Sequence, residues 1–454
     1  MKNLELHVSS QEAKFDLSEL FFSITKTDST ILSGNETFVR ISGYERDEII
    51  GQFHNIIRHP DMPHVVFKTF WDFLNAGKSV AAYVKNRTKE GGYYWVFAVV
   101  FPLRERYVSI RIKPNAQLFD SVKGLYAQLL KSQESLDMQE SEQQLLEALK
   151  SLGYRDYEHF MNEALVEELL IRKKLFLECE AKDDSFCSKS ELELKIEGLY
   201  CSSKKMLERY AKWFEKIEGF GKIKSLFEEK SLVLSSLARD IVFLSINASV
   251  ASYRVDTYGE TFGVLASDIR VNAKENDILI VQIDALSQSL SESLNEVIFL
   301  VSSISLQMEM ITYFIRELFE NNNEELTQNV SFLFELVHVY NKKLSELVLV
   351  IEKTIQKSIL HLNTLEGQIM YLGYIQIYGI IESARSNDES SGFTEIFLQL
   401  KSLIANTAQE VSDMKQVAEK FFMDNRILIN ESKENEKMLV KLEDEISDIN
   451  NIEG

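Results

Sequence analysis

All four prolines of this 454-residue chain, Pro60, Pro63, Pro102 and Pro114, lie in its first quarter, and residues 115–454 contain none. Proline removes a backbone donor and clashes with the preceding turn, so it breaks helix interiors. The last three quarters of the chain are thus free to be helix, while the first part is punctuated. Half of the prolines fall in Arg58-His59-Pro60-Asp61-Met62-Pro63. That stretch makes a poor helix interior and a poor strand. It fits a pinned segment leading into a helix, with polar side chains held at fixed positions.

Residues 18–114 read as alternating short elements. Leu-Phe-Phe-Ser-Ile-Thr-Lys-Thr-Asp-Ser-Thr-Ile-Leu, from Leu20, gives two short β runs around a polar turn. Asn35-Glu-Thr-Phe-Val-Arg-Ile-Ser-Gly43 predicts a short helix with an Asn N-cap and a Gly stop. Residues 46–51 predict another small turn of helix. From 64 to 75, Val66, Phe67, Phe70, Trp71 and Leu74 recur at helical spacing, and Gly77 ends the run. Three strands follow at 79–86, 93–102 and 107–112, with Gly91-Gly92 as the first turn.

From 115 the chain is rich in Leu, Lys and Glu. Residues 115–192 read as a helical connector, broken near Gly153 and again near 181–184. From 193 to 454, apolar residues recur every three or four positions, as in Leu333, Val337, Tyr340, Leu344 and Leu347. That spacing suits the seam of an antiparallel bundle or coiled coil. Two segments recur at a constant offset of 131: 378–385 follows 247–254, and Gly392-Phe393 follows Thr261-Phe262. Leu265 then corresponds to Ile396 and Ile269 to Leu400. A fixed offset indicates an internal repeat. It predicts two tandem hairpins with tips near 255–258 and 386–390, and a return turn at 321–323. Gly219 and Gly221 are expected to break the first arm.

The net charge of −20 and pI near 5.0 argue against a concentrated basic surface for nucleic acid or anionic lipid. Cys179, Cys187 and Cys201 match no metal-binding spacing and read as reduced thiols of a cytoplasmic protein. No basic start followed by an apolar run marks a signal peptide. No uninterrupted run of 18 apolar residues predicts a membrane span. No Gly-rich nicotinamide motif and no catalytic dyad is found, so the chain is not expected to be an enzyme.

The order of elements in 18–114, with Asn35–Tyr44, His54–Pro63, Trp71, Val84-Lys-Asn-Arg87 and Tyr94-Trp-Val96, resembles the PAS sensor domain of aerotaxis receptors. The resemblance implies non-covalently held FAD, with Asn35, His54, Arg58, His59, Asp61, Trp71 and Asn86 at flavin-associated positions. Phe67, one turn from Trp71, joins them as a wall of an apolar slot. Haem is the second choice, kept open by His54, His59 and His64. Val80 stands where the family often has a second tryptophan. The core reading of the same residues is packing by Phe67 and Trp71 and a structural ion pair between Arg58 and Asp61.

Residues 246–270 resemble the signalling tip of methyl-accepting chemotaxis proteins, which docks the kinase CheA and the coupling protein CheW. Asn247, Ala248, Arg254, Gly259, Phe262, Val264, Ala266 and Arg270 match the pattern, and Asp268 keeps the charge of the usual Glu. Ala251 and Thr261 depart from it, at positions tied to contacts with other chemoreceptors. The resemblance implies a docking face of Arg254, Val264, Leu265, Asp268, Ile269 and Arg270. The expected architecture is multidomain: an α+β PAS domain (18–114), then an elongated all-α bundle, either a monomeric pseudo-dimer or a homodimer. The expected function is a redox or energy sensor signalling to CheA and CheW, located in the cytoplasm at chemoreceptor arrays. The alternative is a scaffold or accessory chemotaxis protein without kinase control.

Overall fold

The structure is a computed structural model and describes residues 11–179, 190–253, 259–320, 324–386 and 392–453. Its N-terminal part runs β1 (Phe21–Lys26), β2 (Ile31–Gly34), α1 (Glu36–Ser42), α2 (Arg46–Ile49), a 3-10 turn (His54–Ile57), α3 (His64–Asn75), β3 (Val80–Arg87), β4 (Tyr93–Leu103) and β5 (Arg106–Ile112). The five strands form one sheet in the order β2-β1-β5-β4-β3, with every neighbouring pair antiparallel. Local chemistry sets the boundaries. Asn35 caps α1 by accepting from the Phe38 N–H, and Gly43 ends it in a left-handed conformation at φ 74°. A side chain would be strained there.

Register assigns the two faces. Phe21 pairs with Arg111 and Ser23 with Ser109; Ala98 also faces Arg111, Val100 faces both Ser109 and Val80, and Tyr94 pairs with Asn86. These residues share the inner face, toward α1 and α3. The intervening Phe22, Tyr83, Phe97, Phe101 and Ile110 share the outer face, and all are buried. A sheet covered on both sides loses the apolar–polar alternation, which is why β4 reads as a nearly continuous apolar run.

The outer face is covered by α4 (Gln117–Ser132) and α6 (Tyr157–Cys179), while α5 (Met138–Ser151) packs against α3, α4 and α6. Tyr126 Oη donates to the Tyr83 carbonyl and Tyr157 Oη to the Ala81 carbonyl, both at 3.1 Å. Phe119 stacks on Tyr83 with ring centres 5.4 Å apart. Two of the helices read from sequence as a connector, α4 and α6, are therefore the second wall of the sheet. The aromatic outer face requires a cover, and these helices supply it.

Four long helices follow: α7 (Glu191–Ser252), α8 (Gly259–Glu320), α9 (Glu324–Ser386) and α10 (Phe393–Glu453). The chain divides into two compact units. The first comprises Met1–Phe214, Ile298–Asn341 and Glu436–Gly454; the second comprises Glu215–Val297 and Lys342–Asn435. In the first unit the sheet's outer face and β1–α1 edge meet α8 and α9 directly. Phe22 packs edge-on against Phe314 at 4.9 Å, and Phe101 against Tyr340 at 5.5 Å. Tyr340 also hydrogen-bonds Ser79, and Arg46 pairs with Glu325 at 3.1 Å. Buried Arg172 of α6 pairs with Glu309 of α8 at 2.7 Å.

The second unit is a helical core. An apolar cluster there contains Ile241, Leu244, Phe262, Ala266, Ile269, Leu372, Ile375, Phe393, Phe397 and Leu400. These are five pairs at the offset of 131, so the two copies place equivalent residues in one core. Phe262 stacks on its counterpart Phe393 with ring centres 3.9 Å apart. Ala266 and Phe397 differ in size, and the neighbours compensate. Gly379 corresponds to Ala248, and a Cβ built on Gly379 would lie 2.2 Å from the Phe397 ring.

One expectation about the helices is overturned. Gly219 and Gly221 do not break α7, which runs through them as Phe220 packs on Phe421 at 5.9 Å. The predicted tips and return turn fall largely on 254–258, 387–391 and 321–323, outside the described residues. Allowing up to two charges, α7 and α8 each contain an 18-residue window apolar enough to cross a membrane, with mean hydropathy 1.4 and 1.5. That is weak evidence, because a core helix passes the same test; 72% of the α8 window is buried within the protein.

Candidate functional site

The inner face of the sheet combines apolar walls with polar groups that lack partners. Asn86 is 2% exposed, and its Nδ2 makes no hydrogen bond; nor do Tyr94 Oη, Ser109 Oγ or Arg111 Nη1. Tyr94 and Asn86 are cross-strand neighbours on this face. Unpaired buried polar atoms are rare in folded proteins and cost about 1–3 kcal/mol each. Four such atoms lie on one face, between Phe21, Val80, Ala82, Val84, Val96 and Ala98.

Arg111 lies at the centre of this face. Its Nη2 donates to Ser23 Oγ at 2.9 Å and to His54 Nε2 at 2.7 Å. An Nε2 that accepts belongs to a neutral imidazole. Burial holds His54 down to a pKa of about 3, and the Arg111 charge adds to the effect. Phe38 stacks on the His54 ring. Burial also lowers Arg111 to about 10, and raises Tyr94 against the opposing pull of Arg111.

The eight expected cofactor residues fall into three groups. Asn86, His54, Arg58, Phe67 and Trp71 gather on the inner side. Arg58 bridges to Asn86 along the sheet edge, and its guanidinium sits 4.1 Å from the centre of the Phe67 ring. Phe67 and Trp71 are half-buried on α3, and Trp71 packs on Tyr107 at 5.9 Å. Asn35 spends its side chain on backbone: Oδ1 accepts from Phe22 and Phe38, and Nδ2 donates to the Leu20 carbonyl.

His59 and Asp61 form the third group. Arg58 opposes Asn86, so the next residue points to the other face of the edge strand. There His59 meets Tyr93 at 6.1 Å, its Nδ1 accepts from the Asp61 N–H, and Asp61 pairs with Lys85 at 2.6 Å. Burial, then Lys85, pushes His59 below its ordinary value, with Asp61 opposing. Asp61 is thus a partner of Lys85 rather than of Arg58. His54, His59 and exposed His64 point to different surroundings and do not converge on one position. Among the described residues, no cluster of three or more His, Cys, Asp or Glu is placed to hold a metal ion.

An open groove of about 580 Å³ is lined by Arg58, His59, His64 and Arg87 with Phe53 and Asn55. Sequence reasoning missed Tyr94, Ser109 and Arg111. The available signal was the alternation Tyr107-Val-Ser-Ile-Arg111, which puts a serine and an arginine on the face of a strand otherwise fit for a core.

On the second unit, the expected docking residues divide by helix periodicity. Val264 and Arg270 are exposed and Asp268 is half-buried. Leu265 and Ile269 are 6% and 0% exposed within the apolar cluster, so these two are core and not free surface. One helical turn separates them, which keeps both on the inward stripe. Arg254 lies outside the described residues.

A PAS fold family model matches residues 31–110. Over 128 residues the chain is 38% identical to the aerotaxis receptor of Escherichia coli K12, covering 27% of this chain and 25% of that protein. Over 79 residues it is 32% identical to the biofilm dispersion protein BdlA of Pseudomonas aeruginosa, covering 17% and 19%. The chain thus spans about a quarter and a fifth of the lengths of these relatives. Among solved structures, the light state of the Aureochrome1 LOV photoreceptor aligns at 20% identity, covering 22% of this chain and 86% of that one, with a TM-score of 0.21. A LOV domain of a blue-light-activated histidine kinase from Erythrobacter litoralis aligns at 16% identity, covering 20% and 94%, with a TM-score of 0.20. Superpositions at that level carry no argument about ligand or activity. The chain carries an N-terminal PAS domain, similar in sequence to the aerotaxis receptor and followed by a long helical region.

Proposed function

We propose that this protein is a PAS-based redox or energy sensor that holds FAD on the inner face of its sheet and signals through its helical hairpins to a CheA–CheW kinase complex. The observation that carries the reading is the set of four unpartnered polar atoms, on Asn86, Tyr94, Ser109 and Arg111, in an apolar wall. A flavin ring fits that chemistry: an apolar plane whose polar edge needs donors and acceptors at fixed places. Asn86, Tyr94 and Arg111 would hold the polar edge, and Phe67 and Trp71 would flank the ring. Arg58, Arg87 and His64 in the open groove would take the pyrophosphate. When bound, the flavin supplies reversible electron uptake. The chain's own residues orient it and sense its charge.

The route outward is physical contact. The strands that present the inner groups pack their other face on α8 and α9, through Phe22–Phe314 and Phe101–Tyr340. A change of packing in the sheet would bias those helices. In the second unit, Val264, Asp268 and Arg270 of α8 would offer the surface for the coupling protein. The site of action would be the cytoplasm, at chemoreceptor arrays.

Absorbance spectra of the purified chain under oxidising and reducing conditions test the sensor half. A flavin spectrum that bleaches on reduction is expected; colourless protein that takes up neither flavin nor haem would overturn it. Capture of CheW by the chain, lost in Val264→Asp, tests the output half. The second reading, a scaffold without kinase control, draws on Ala251, which is buried where the second copy has Glu382. Unchanged taxis in an Arg270→Ala variant would favour it.

A further inference from the structure

The charge balance of the inner face leads further than the binding of a flavin. Arg111 is 4% exposed, and among the described residues its electrostatic neighbours include no Asp or Glu. Its bonds go to Ser23, a neutral hydroxyl, and to a neutral His54. Phe38 lies 5.5 Å below the guanidinium. Its Nη1 is left over. Burying a cation without an anion is among the costliest arrangements in a protein interior. Arginine cannot shed its proton at ordinary pH, so neutralisation is closed to it. The fold nevertheless holds this cation in place from two sides, and its free N–H group shares the face of Asn86 and Tyr94.

We infer that Arg111 is the counter-cation of the inner site, and that the ligand form it selects is an anion. Resting on the flavin reading, this identifies the reduced, singly negative ring as the state that the site binds more tightly. The balance is simple. An oxidised flavin ring takes two electrons from an external reductant and one proton from solvent, and so ends with one negative charge. Arg111 donates Nη1–H toward that charge and makes the second ring proton unnecessary. Asn86 and Tyr94 complete the donor set, and His54 stays neutral, so the site does not carry two cations. Arg111 is a positioning and charge-matching residue; it gives up no proton.

The test uses the full chain loaded with FAD, with dithionite as reductant, in wild type, Arg111→Lys and Arg111→Met. Arg111→Met is expected to favour the oxidised over the reduced cofactor about tenfold relative to wild type, a shift of about 30 mV to lower potential for a two-electron couple. The reduced spectrum should change from the anionic to the neutral form. Arg111→Lys should keep the anionic spectrum. The cofactor-free chain gives a separate readout: removing an unpaired buried charge should leave its melting temperature unchanged or raise it. An FAD-loaded Arg111→Met protein with the wild-type potential and spectrum would overturn the inference while leaving the flavin reading intact. So would a lower melting temperature of the cofactor-free variant with an unchanged FAD-induced stabilisation, because that marks a purely structural arginine. Wild-type protein that takes up no flavin would overturn both, and the colourless sample tells the two failures apart.

Discussion

The inner face of the N-terminal sheet and the apolar cluster of the second unit are both buried, yet they are built on opposite rules. The cluster is closed. Its residues are apolar, its two copies contribute equivalent positions, and Phe262 and Phe393 stack within 3.9 Å. The sheet's inner face is open in the chemical sense. It keeps Asn86, Tyr94, Ser109 and Arg111 with unsatisfied atoms among apolar neighbours. Buried polar atoms without a partner also occur along the long helices, as at Ser302, Ser303 and Gln307. What sets the sheet's inner face apart is that four of them, one on a cation, share a single face among apolar neighbours.

The largest expected effect falls on the closed side. Phe393→Ala removes a fully buried ring from the centre of the cluster and should destabilise the protein by about 3–5 kcal/mol. Urea unfolding followed by far-ultraviolet circular dichroism measures it, and a loss under 1 kcal/mol would mean that the two copies do not share a core. Gly379→Ala comes next. The added Cβ meets the Phe397 ring, so a cost of about 1–3 kcal/mol is expected. In a Phe397→Ala background the same change should become neutral or favourable, since alanine is the better helix former and the pair then matches Ala248 and Ala266. A cost independent of residue 397 would contradict that size compensation.

The smallest effect sharpens the open side. His54 is held neutral, with a folded pKa of about 3 against 6.5 as the ordinary value. The unfolded chain therefore binds the proton first as pH falls. The stability contributed by neutral His54 is fully present above about 6.5 and is lost as pH drops toward 3, with a slope of up to about 1.4 kcal/mol per pH unit. Comparing unfolding free energies of wild type and His54→Gln across that window isolates the term. Equal slopes would show that His54 is not the neutral acceptor of Arg111. Phe393→Ala should leave the slope unchanged, because the apolar cluster has no ionisable member.

Much of the fold was legible because its signals are local. The Asn35 cap and the Gly43 stop depend on three or four adjacent backbone groups, and α1 has both. The absence of proline after Pro114 permitted long helices, and four of about sixty residues each are present. The repeat was visible as a constant offset, although the pairing of Phe262 with Phe393 in one core was not. The site was less legible. Trp71 and Asn86 stood out by motif, whereas Arg111 sits in a short strand where an arginine normally reads as solvent-facing. Only the cover provided by α1, α3 and the 3-10 turn makes it a buried cation. Likewise, Leu265 and Ile269 carry a surface motif's residue types but occupy the inward stripe of α8.

The sequence by itself determined which segments are strand and which are helix, because hydrogen-bonding geometry, caps and apolar periodicity act between residues close in the chain. It also marked two copies of one helical pattern. Tertiary structure alone decided that α4 and α6 wall the sheet, that the sheet's outer face packs on α8 and α9, and that Arg111 lacks an anion among the described residues. Those facts depend on which distant groups come together and on how much water they exclude, and neither is written in any local stretch of residues.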